Sequence, residues 1–225
     1  MFRTAVVTLA ALGAFLTPAA PASAAVAGPL GAPGDVLTMP LADALGALPV
    51  QDEDRTGYSR SLFKHWIDAD KDGCSTRAEV LKEEAVLAPV QEAGCKLTAG
   101  RWYSPYDNQY IDGPAGLDID HLVPLAEAWD SGASQWSPAE RQAYANDLDA
   151  TRSLIAVSAK TNRSKADQDP ATWLPPFAGY RCQYVADWIA TKIRWQLSID
   201  TTEKNALTET ANGCANAPVG ITLAR

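Results

Sequence analysis

The sequence predicts an α+β fold: a single helix-rich domain built around a small hairpin and a following helix, and closed by two disulfides. Residues 117–122 alternate between apolar and polar side chains, which is typical of a strand with one buried face. Residues 154–157 form a compact apolar run that can pair with this strand. The flanking segments carry helical spacing and capping residues, so we expect helices to supply most of the fold.

The helices are predicted from their starting residues and their apolar spacing. Ser137 followed by Pro138 and Glu140 is a helix-start signal that combines an N-cap, a proline in the first turn and a capping acid. Asp200 with Glu203 forms a similar start for the last helix. The predicted helical segments are 60–66, 77–90, 138–148, 162–166, 182–195 and 200–213, and residues 101–112 are expected to be irregular or a short hairpin.

The amino terminus has the pattern of a secretion signal. Arg3 precedes an apolar run over 5–16, and small residues then end in Ala-Ser-Ala at 22–24. The run is short for a membrane anchor, which is the weaker alternative, and no second run of membrane length follows. We therefore expect the mature protein to be extracellular and not to remain in the membrane. The expected division is a signal peptide over 1–24, a linker or arm over 25–55, and one domain over 56–225.

The four cysteines form an even set in a chain expected to be exported, so pairing is favoured. Three pairings are possible. We expect the two local bridges, Cys74 with Cys95 and Cys182 with Cys214, because each pair encloses a short segment. A zinc site is the competing interpretation, but neither pair has C-x-x-C spacing and the chain has only two histidines.

The formal net charge of −8 argues against a protein that binds nucleic acid through a large overall positive charge. A nuclease, however, requires only a local basic track beside its reaction centre. Lys160, Arg163 and Lys165 form such a track within six residues, and Arg141 precedes it in the chain. These four side chains are the candidate contacts to a phosphate backbone.

Two segments carry the residue types that phosphodiester hydrolysis needs, namely ligands for a divalent cation, a base and cationic support. Asp120 and Asn162 offer hard oxygen atoms suited to Mg²⁺ or Mn²⁺. His121 is the natural general base, since adjacent strand residues point to opposite sides and Asp120 and His121 must divide the work. Asp118 shares the strand face of Asp120 and could be a second ligand or an orienting partner.

The D-x-D-H-x-x-P pattern at 118–124, with N-R-x-K at 162–165, resembles the HNH (ββα-metal) nuclease motif, including the version in RNA-guided CRISPR nucleases. Residues 58–214 also resemble a family of secreted bacterial HNH endonucleases. The motifs that carry this wider resemblance are Gly73-Cys74-x-Thr76-Arg77, Ala145-Asn146-Asp147, Trp173-Leu174-Pro175-Pro176, and the run at 124–133 that begins Pro-Leu-Ala.

The resemblance implies a role for each matching residue. His121 is implied as the base, Asp120 and Asn162 as the metal ligands, and Lys165 with Arg163 as phosphate support. Asn146 is the candidate for the middle motif asparagine, which orients the base. The final motif residue is asparagine here rather than histidine, which supplies a hard ligand and weakens a zinc assignment.

Residues 68–79 fit the calcium-loop spacing D-x-D-x-D-G-x₅-E without a gap. Ser75 stands where such loops usually carry an apolar residue, so we expect a lone loop rather than a paired EF-hand. The alternative is an ordinary acidic surface turn. The expected Ca²⁺ ligands are the side chains of Asp68, Asp70, Asp72 and Glu79 and the backbone carbonyl of Cys74.

These patterns together predict a secreted, monomeric, metal-dependent endonuclease that acts on nucleic acid, DNA rather than RNA, with low sequence selectivity. The main alternative is a secreted calcium-binding interaction module with a vestigial HNH motif. A glycosidase-like hydrolase using Asp118 and Asp120 ranks last, because residues two apart on one strand cannot flank a bond from opposite faces. The other histidine, His65, is expected to be a packing or surface residue beside Trp66.

Overall fold

The computed structural model describes Met1 and residues 30–225, so the signal peptide expected over 1–24 lies, Met1 apart, outside the described residues. Over this range the fold is mixed, as predicted, with helices and several small antiparallel sheets in one domain. The helices are α1 (Leu41–Ala47), α2 (Thr76–Glu83), α3 (Leu125–Asp130), α4 (Pro138–Ala145), α5 (Ala159–Lys165), α6 (Arg181–Arg194) and α7 (Thr201–Asn212). The strands are β1 (Val36–Pro40), β2 (Ala85–Leu87), β3 (Val90–Glu92), β4 (Lys96–Thr98), β5 (Arg101–Ser104), β6 (Gln109–Asp112), β7 (Leu117–His121), β8 (Leu154–Ser158) and β9 (Pro218–Thr222).

The predicted hairpin and helix are present as a ββα unit, formed by β7, β8 and α5. The two strands are antiparallel, with Asp118 opposite Val157 and Asp120 opposite Ile155. Helix α5 begins directly after β8, because the Ser158 side chain accepts a hydrogen bond from the backbone N–H of Thr161 and caps the helix. This short connection places the end of α5 beside the end of β7.

Two apolar cores hold the ββα unit between them. The larger core is built from α1, α3, α4, α6 and α7, and it includes the completely buried Tyr184 and Trp188. The smaller core lies on the hairpin, where Ile119 and Leu154 pack with Trp102 of β5. Trp102 is also fixed by a 2.7 Å hydrogen bond from its indole N–H to the backbone carbonyl of Leu81 in α2.

Several helix predictions are confirmed by the structure. Helix α4 starts at Pro138 with a complete capping box, in which Ser137 and Glu140 each bind the other's backbone N–H. Helices α6 and α7 occupy the predicted segments, and the Asp200 side chain caps α7 through the N–H of Glu203. Residues 101–112 form the hairpin β5–β6. Within residues 30–225, no helix combines the length and the apolar character that crossing a membrane requires.

The prediction of a linker or arm over 25–55 is wrong for residues 36–48. Strand β1 pairs with β9 along its whole length, and α1 packs against α6 and α7. Leu41, Ala44, Leu45 and Leu48 are all buried in the larger core. Their spacing of three and four residues is one helix face, which the surrounding Ala, Gly and Pro residues hid.

Two predicted helices are also corrected. Residues 60–66 form only a short 3₁₀ turn at Arg60–Leu62. The helix predicted over 77–90 ends at Glu83, after which β2 pairs with β5 and β3 pairs with β4. Pro89 lacks an N–H and its ring disfavours a preceding helical turn, so the apolar residues that suggested a longer helix enter sheets instead.

Both predicted disulfides are present. Cys74–Cys95 joins the loop before α2 to the start of β4 across 21 residues, and Cys182–Cys214 joins α6 to the end of α7 across 32 residues. Each bridge closes a local segment and restricts the unfolded chain, which is how disulfides stabilise small extracellular domains.

A buried lysine joins three helices of the larger core. The Lys192 side chain on α6 is completely buried, and its Nζ lies 2.6 Å from Glu127 Oε1 of α3 and 2.8 Å from Glu203 Oε2 of α7. The same ammonium also donates to the Ser131 hydroxyl at 2.9 Å and to the Ser198 carbonyl at 2.8 Å. Without Lys192, two carboxylates would face each other in an apolar interior.

We predict that Lys192→Met lowers the free energy of unfolding by about 3–5 kcal/mol, because breaking a buried ion pair leaves an uncompensated charge. Urea unfolding monitored by tryptophan fluorescence measures this change. The control is Lys96→Met, whose side chain is 69% exposed and which should change stability by less than about 0.5 kcal/mol. Equal stability of the two variants would contradict the prediction.

Candidate functional site

The predicted base, His121, ends β7 and is 6% exposed. Its Nε2 lies 3.0 Å from the backbone carbonyl oxygen of Ala145. A carbonyl only accepts hydrogen bonds, so Nε2 carries the proton and Nδ1 carries the lone pair. Burial lowers the pKa of His121 to about 3, which keeps the ring neutral near pH 7. The ring is therefore held in the tautomer that can accept a proton at Nδ1.

Aromatic rings surround the His121 imidazole. Trp66 stacks on it with ring centroids 5.3 Å apart, Tyr144 lies nearly parallel at 6.5 Å, and His65 meets it edge-on at 6.3 Å. Trp66 has a backbone φ of 59°, which is rare and strained for a bulky side chain. Backbone strain of this kind persists only where surrounding contacts hold it. The packing of Trp66 against His121 is one such contact.

Asn146 holds the backbone that orients His121. Its Oδ1 accepts hydrogen bonds from the Ile67 N–H at 3.1 Å and the Thr76 hydroxyl at 2.8 Å. Its Nδ2 donates to the carbonyls of Lys64 and Gln142, both at 2.7 Å. Asn146 follows Ala145 directly, so the contact to the base runs through the Ala145 carbonyl and not through the Asn146 side chain.

Asp120 lies in a buried network at the centre of the ββα unit. Its Oδ2 accepts a hydrogen bond from the Tyr106 hydroxyl at 2.6 Å and lies 2.8 Å from Lys165 Nζ, while its Oδ1 accepts a hydrogen bond from the same Nζ at 2.9 Å. Burial raises the pKa of Asp120, while the nearby Lys165 opposes that shift. An oxygen of a carboxylate has two lone pairs, so Oδ1 keeps one for a further ligand.

Lys165 cannot support a phosphate in this arrangement, contrary to the prediction. Its side chain is 0% exposed. Besides both oxygens of Asp120, its ammonium contacts the backbone carbonyl of His121 at 3.0 Å. The buried ammonium is thus bound inside the protein by two hydrogen bonds and an ion pair, and its role here is to fix Asp120 and the end of β7.

Asp118, Asn162 and Arg163 meet on the outer part of the ββα unit. Asn162 Nδ2 donates to Asp118 Oδ2 at 3.2 Å, which leaves the Asn162 amide oxygen facing away from this bond. The Nε of Arg163 lies 3.6 Å from the same Asp118 oxygen, and the Arg163 side chain is 77% exposed. The predicted second ligand is thus next to the predicted amide ligand.

One cleft of about 240 Å³ is lined by the predicted base, His121, and by two predicted ligands, Asp120 and Asn162, but not by Asp118. A carboxylate and an amide oxygen are the hard donors that Mg²⁺ and Mn²⁺ prefer, so the types of donor present suit such an ion. Arg60 and Asp167 also reach this cleft and were not predicted. The polar lining consists of Arg60, Asp120, His121, Asn162, Arg163 and Asp167.

Two predicted substrate contacts do not line the cleft. Arg141 is buried and donates to the carbonyls of Ala133 and Trp136, so it braces the chain before α4. Lys160 is exposed on α5, away from the cleft lining. The sequence carried no local signal for Arg60, Trp66 or Tyr106, because each reaches the site across a long stretch of chain.

The acidic loop brings together part of its predicted ligand set. Oxygens of Asp68, Asp70 and Asp72 lie within 4.8 Å of one another, and Gly73 turns the chain with a φ of 94°. Glu79 is outside this group and lies 2.8 Å from Lys82, whose Nζ is also 3.9 Å from Asp72. Three aspartates therefore converge, while the fourth acid is paired with a lysine.

Comparisons with known proteins place the site in a family context. The sequence model of the C-terminal domain of GmrSD restriction endonucleases matches residues 78–210, which include the whole ββα unit. A protein of Arthroderma benhamiae (strain ATCC MYA-4681 / CBS 112371), described as an uncharacterized secreted protein, is 43% identical over 158 residues. That alignment covers 70% of this chain and 76% of the fungal protein. No solved structure matches the chain.

We predict that Lys165→Met acts on folding rather than on substrate affinity. The change leaves the buried Asp120 carboxylate without its cation, which should cost about 3–5 kcal/mol of unfolding free energy. Lys160→Met, an exposed neighbour on the same helix, should change it by less than about 0.5 kcal/mol. A Lys165→Met protein of unchanged stability but raised KM would instead place this lysine on the substrate.

Proposed function

Because the chain belongs to the family of GmrSD restriction endonuclease C-terminal domains, we propose that it is a secreted, metal-dependent HNH endonuclease. The proposed reaction is hydrolysis of phosphodiester bonds in nucleic acid, DNA rather than RNA, with low sequence selectivity. The observation that carries the proposal is one cleft lined by His121, Asp120 and Asn162. A secreted relative and two disulfides support an extracellular location.

His121 is the general base of the proposed reaction. The hydrogen bond from Nε2 to the Ala145 carbonyl leaves Nδ1 unprotonated, and the packed rings of Trp66 and Tyr144 fix the plane of the imidazole. Nδ1 accepts a proton from a water molecule as that water attacks phosphorus, the P–O bond to one sugar oxygen breaks, and this leaving oxygen takes up a proton from solvent. A positioned base contributes about 10²–10⁴-fold to the rate of such a step. Asn146 is a positioning residue, because it holds the backbone that carries the Ala145 carbonyl.

Asp120 and Asn162 are the proposed ligands for Mg²⁺ or Mn²⁺, with Asp118 beside them as a further ligand or as the partner that orients Asn162. A divalent cation held there supplies positive charge that stabilises the phosphate in the transition state. Tyr106 and Lys165 keep the Asp120 carboxylate in place. Arg163 lies at the rim, where its exposed guanidinium can reach the nucleic-acid backbone.

The acidic loop is proposed as a separate structural Ca²⁺ site. Asp68, Asp70 and Asp72 repel one another when no cation is present, and the Cys74–Cys95 bridge limits the entropy lost when the loop is ordered. Glu79 joins the site only if it leaves Lys82, which weakens the site relative to a loop with a free glutamate.

We predict that His121→Ala lowers the rate of plasmid cleavage at saturating Mg²⁺ or Mn²⁺ by about 10²-fold or more, because the water loses its proton acceptor. Supercoiled plasmid, with and without EDTA, is the assay, and wild-type protein with EDTA should be inactive. Wild-type turnover in His121→Ala would exclude this base. A wild-type protein that binds Ca²⁺ but never cleaves would favour the interaction-module alternative.

The matched variant for the metal is Asn162→Ala. Its activity should fall but partly recover as Mn²⁺ is raised, whereas that of His121→Ala should not. Asn162 is preferred to Asp120 for this test, because removing the Asp120 carboxylate would also leave the buried Lys165 without its ion-pair partner. Loss of cleavage that no Mn²⁺ concentration restores would argue against Asn162 as a ligand.

We predict that Ca²⁺ raises the melting temperature of chelator-stripped protein, since ligand that binds only the folded state stabilises it. Asp70→Ala should abolish this rise without changing the Mn²⁺ dependence of cleavage. The control is Glu209→Ala, an exposed acid on α7 that should leave the Ca²⁺ effect intact. An unchanged melting temperature in wild-type protein would leave residues 68–79 as an acidic turn.

A further inference from the structure

The segment over residues 58–67 contributes Arg60 to the lining of the candidate cleft, although it precedes the region that matches the family. Trp66 stacks on His121, and the backbone of Ile67 is bonded to Asn146. Phe63 is completely buried and packs edge-on against Trp129 and Tyr144. The segment is therefore anchored on both the base and the larger core.

Arg60 is the residue by which this segment reaches the cleft. It lies in the 3₁₀ turn Arg60–Leu62, is exposed, and lines the cleft together with Asp120, His121 and Asn162. The turn is closed by hydrogen bonds from the Leu62 and Phe63 N–H groups to the carbonyls of Ser59 and Arg60. The backbone that carries the guanidinium is thus set relative to His121.

Arg60 differs from the other cations around the ββα unit. Lys165 is buried and fully bonded, Arg141 is bonded to backbone carbonyls, and Arg163 faces Asp118. Among residues 30–225, Arg60 has no carboxylate partner within ion-pair distance. Arg60 is thus an arginine of the cleft that makes no ion pair within the described residues, while the carboxylates of Asp120 and Asp167 line the same cleft.

We propose that Arg60 binds the scissile phosphodiester of the nucleic-acid substrate. This inference rests on the proposed nuclease function and names the group that replaces Lys165 and Arg141 as phosphate support. A guanidinium presents parallel N–H donors that match two phosphate oxygens, and it stays charged at any pH at which the protein is folded. Arg60, Asp120, Asn162 and His121 line one cleft, so a phosphate bound there by Arg60 lies beside the proposed base, where the attacking water must be deprotonated.

The test compares Arg60→Gln with Arg101→Gln, in which an exposed arginine paired with Asp112 receives the same change. Binding of a fluorescent DNA duplex is measured by anisotropy in the His121→Ala background, and cleavage is measured in otherwise wild-type protein. We expect Arg60→Gln to raise Kd about ten-fold and to lower kcat/KM by about 10–100-fold. The plot of the logarithm of the DNA-binding constant against the logarithm of the salt concentration should become less steep by about one. Arg101→Gln should stay within about two-fold of the parent.

The variant Arg60→Lys distinguishes the contribution of the positive charge from that of the guanidinium geometry. We expect it to recover part of the affinity and less of kcat/KM, because an ammonium keeps the charge but loses the paired donors. Unaltered binding and cleavage in a folded Arg60→Gln protein would overturn the proposal. If Arg60→Gln lowers the melting temperature, the DNA affinity and kcat/KM of Arg60→Lys are compared with those of Arg101→Lys. A lower kcat/KM in Arg60→Lys alone supports the proposal, and equal values in the two variants overturn it. If wild-type protein does not cleave, the nuclease proposal fails, while the anisotropy series still decides whether Arg60 binds a phosphate backbone.

Discussion

The site depends on the buried contact between Lys165 and Asp120. Removing an ammonium and a carboxylate from water costs several kcal/mol per ion, and only close pairing with full hydrogen bonding offsets this cost. Here Lys165 donates hydrogen bonds to Asp120 Oδ1 and to the His121 carbonyl, and Tyr106 donates to Asp120 Oδ2. The pair joins α5 to β7 and to the β5–β6 hairpin, so the positions of the base and of both candidate ligands follow from one interaction.

The surroundings of His121, the proposed base, come from parts of the chain that are distant in sequence. The ββα unit supplies His121 itself, the end of α4 supplies the carbonyl that sets its tautomer, and the segment before the acidic loop supplies the stacked Trp66. Asn146 ties these parts together, since it bonds to Ile67 and Thr76 at the two ends of the acidic loop. Ordering or disordering of the acidic loop therefore affects the backbone at Ala145, whose carbonyl binds His121.

The charge distribution reconciles an acidic protein with an anionic substrate. Part of the positive charge is used inside the protein: Lys192 is buried between two carboxylates, Lys165 is buried beside Asp120, and Arg194 is paired with Asp147. At the cleft, Arg60 and Arg163 remain near solvent. Attraction of a phosphate then depends on the local field in the cleft, while the net charge of −8 leaves the rest of the surface unfavourable for nucleic acid.

Elements that depend on near neighbours in the chain are the ones that sequence patterns predicted correctly. The capping box at Ser137, the pairing of 117–121 with 154–158 and the two local disulfides were all predictable, because capping, strand alternation and short loop closure are local properties. Tertiary structure alone decided which polar residues face the cleft. Lys165 and Arg60 are both cations near the motif in space, yet one is buried and the other lines the cleft, because burial follows from contacts between segments far apart in the chain.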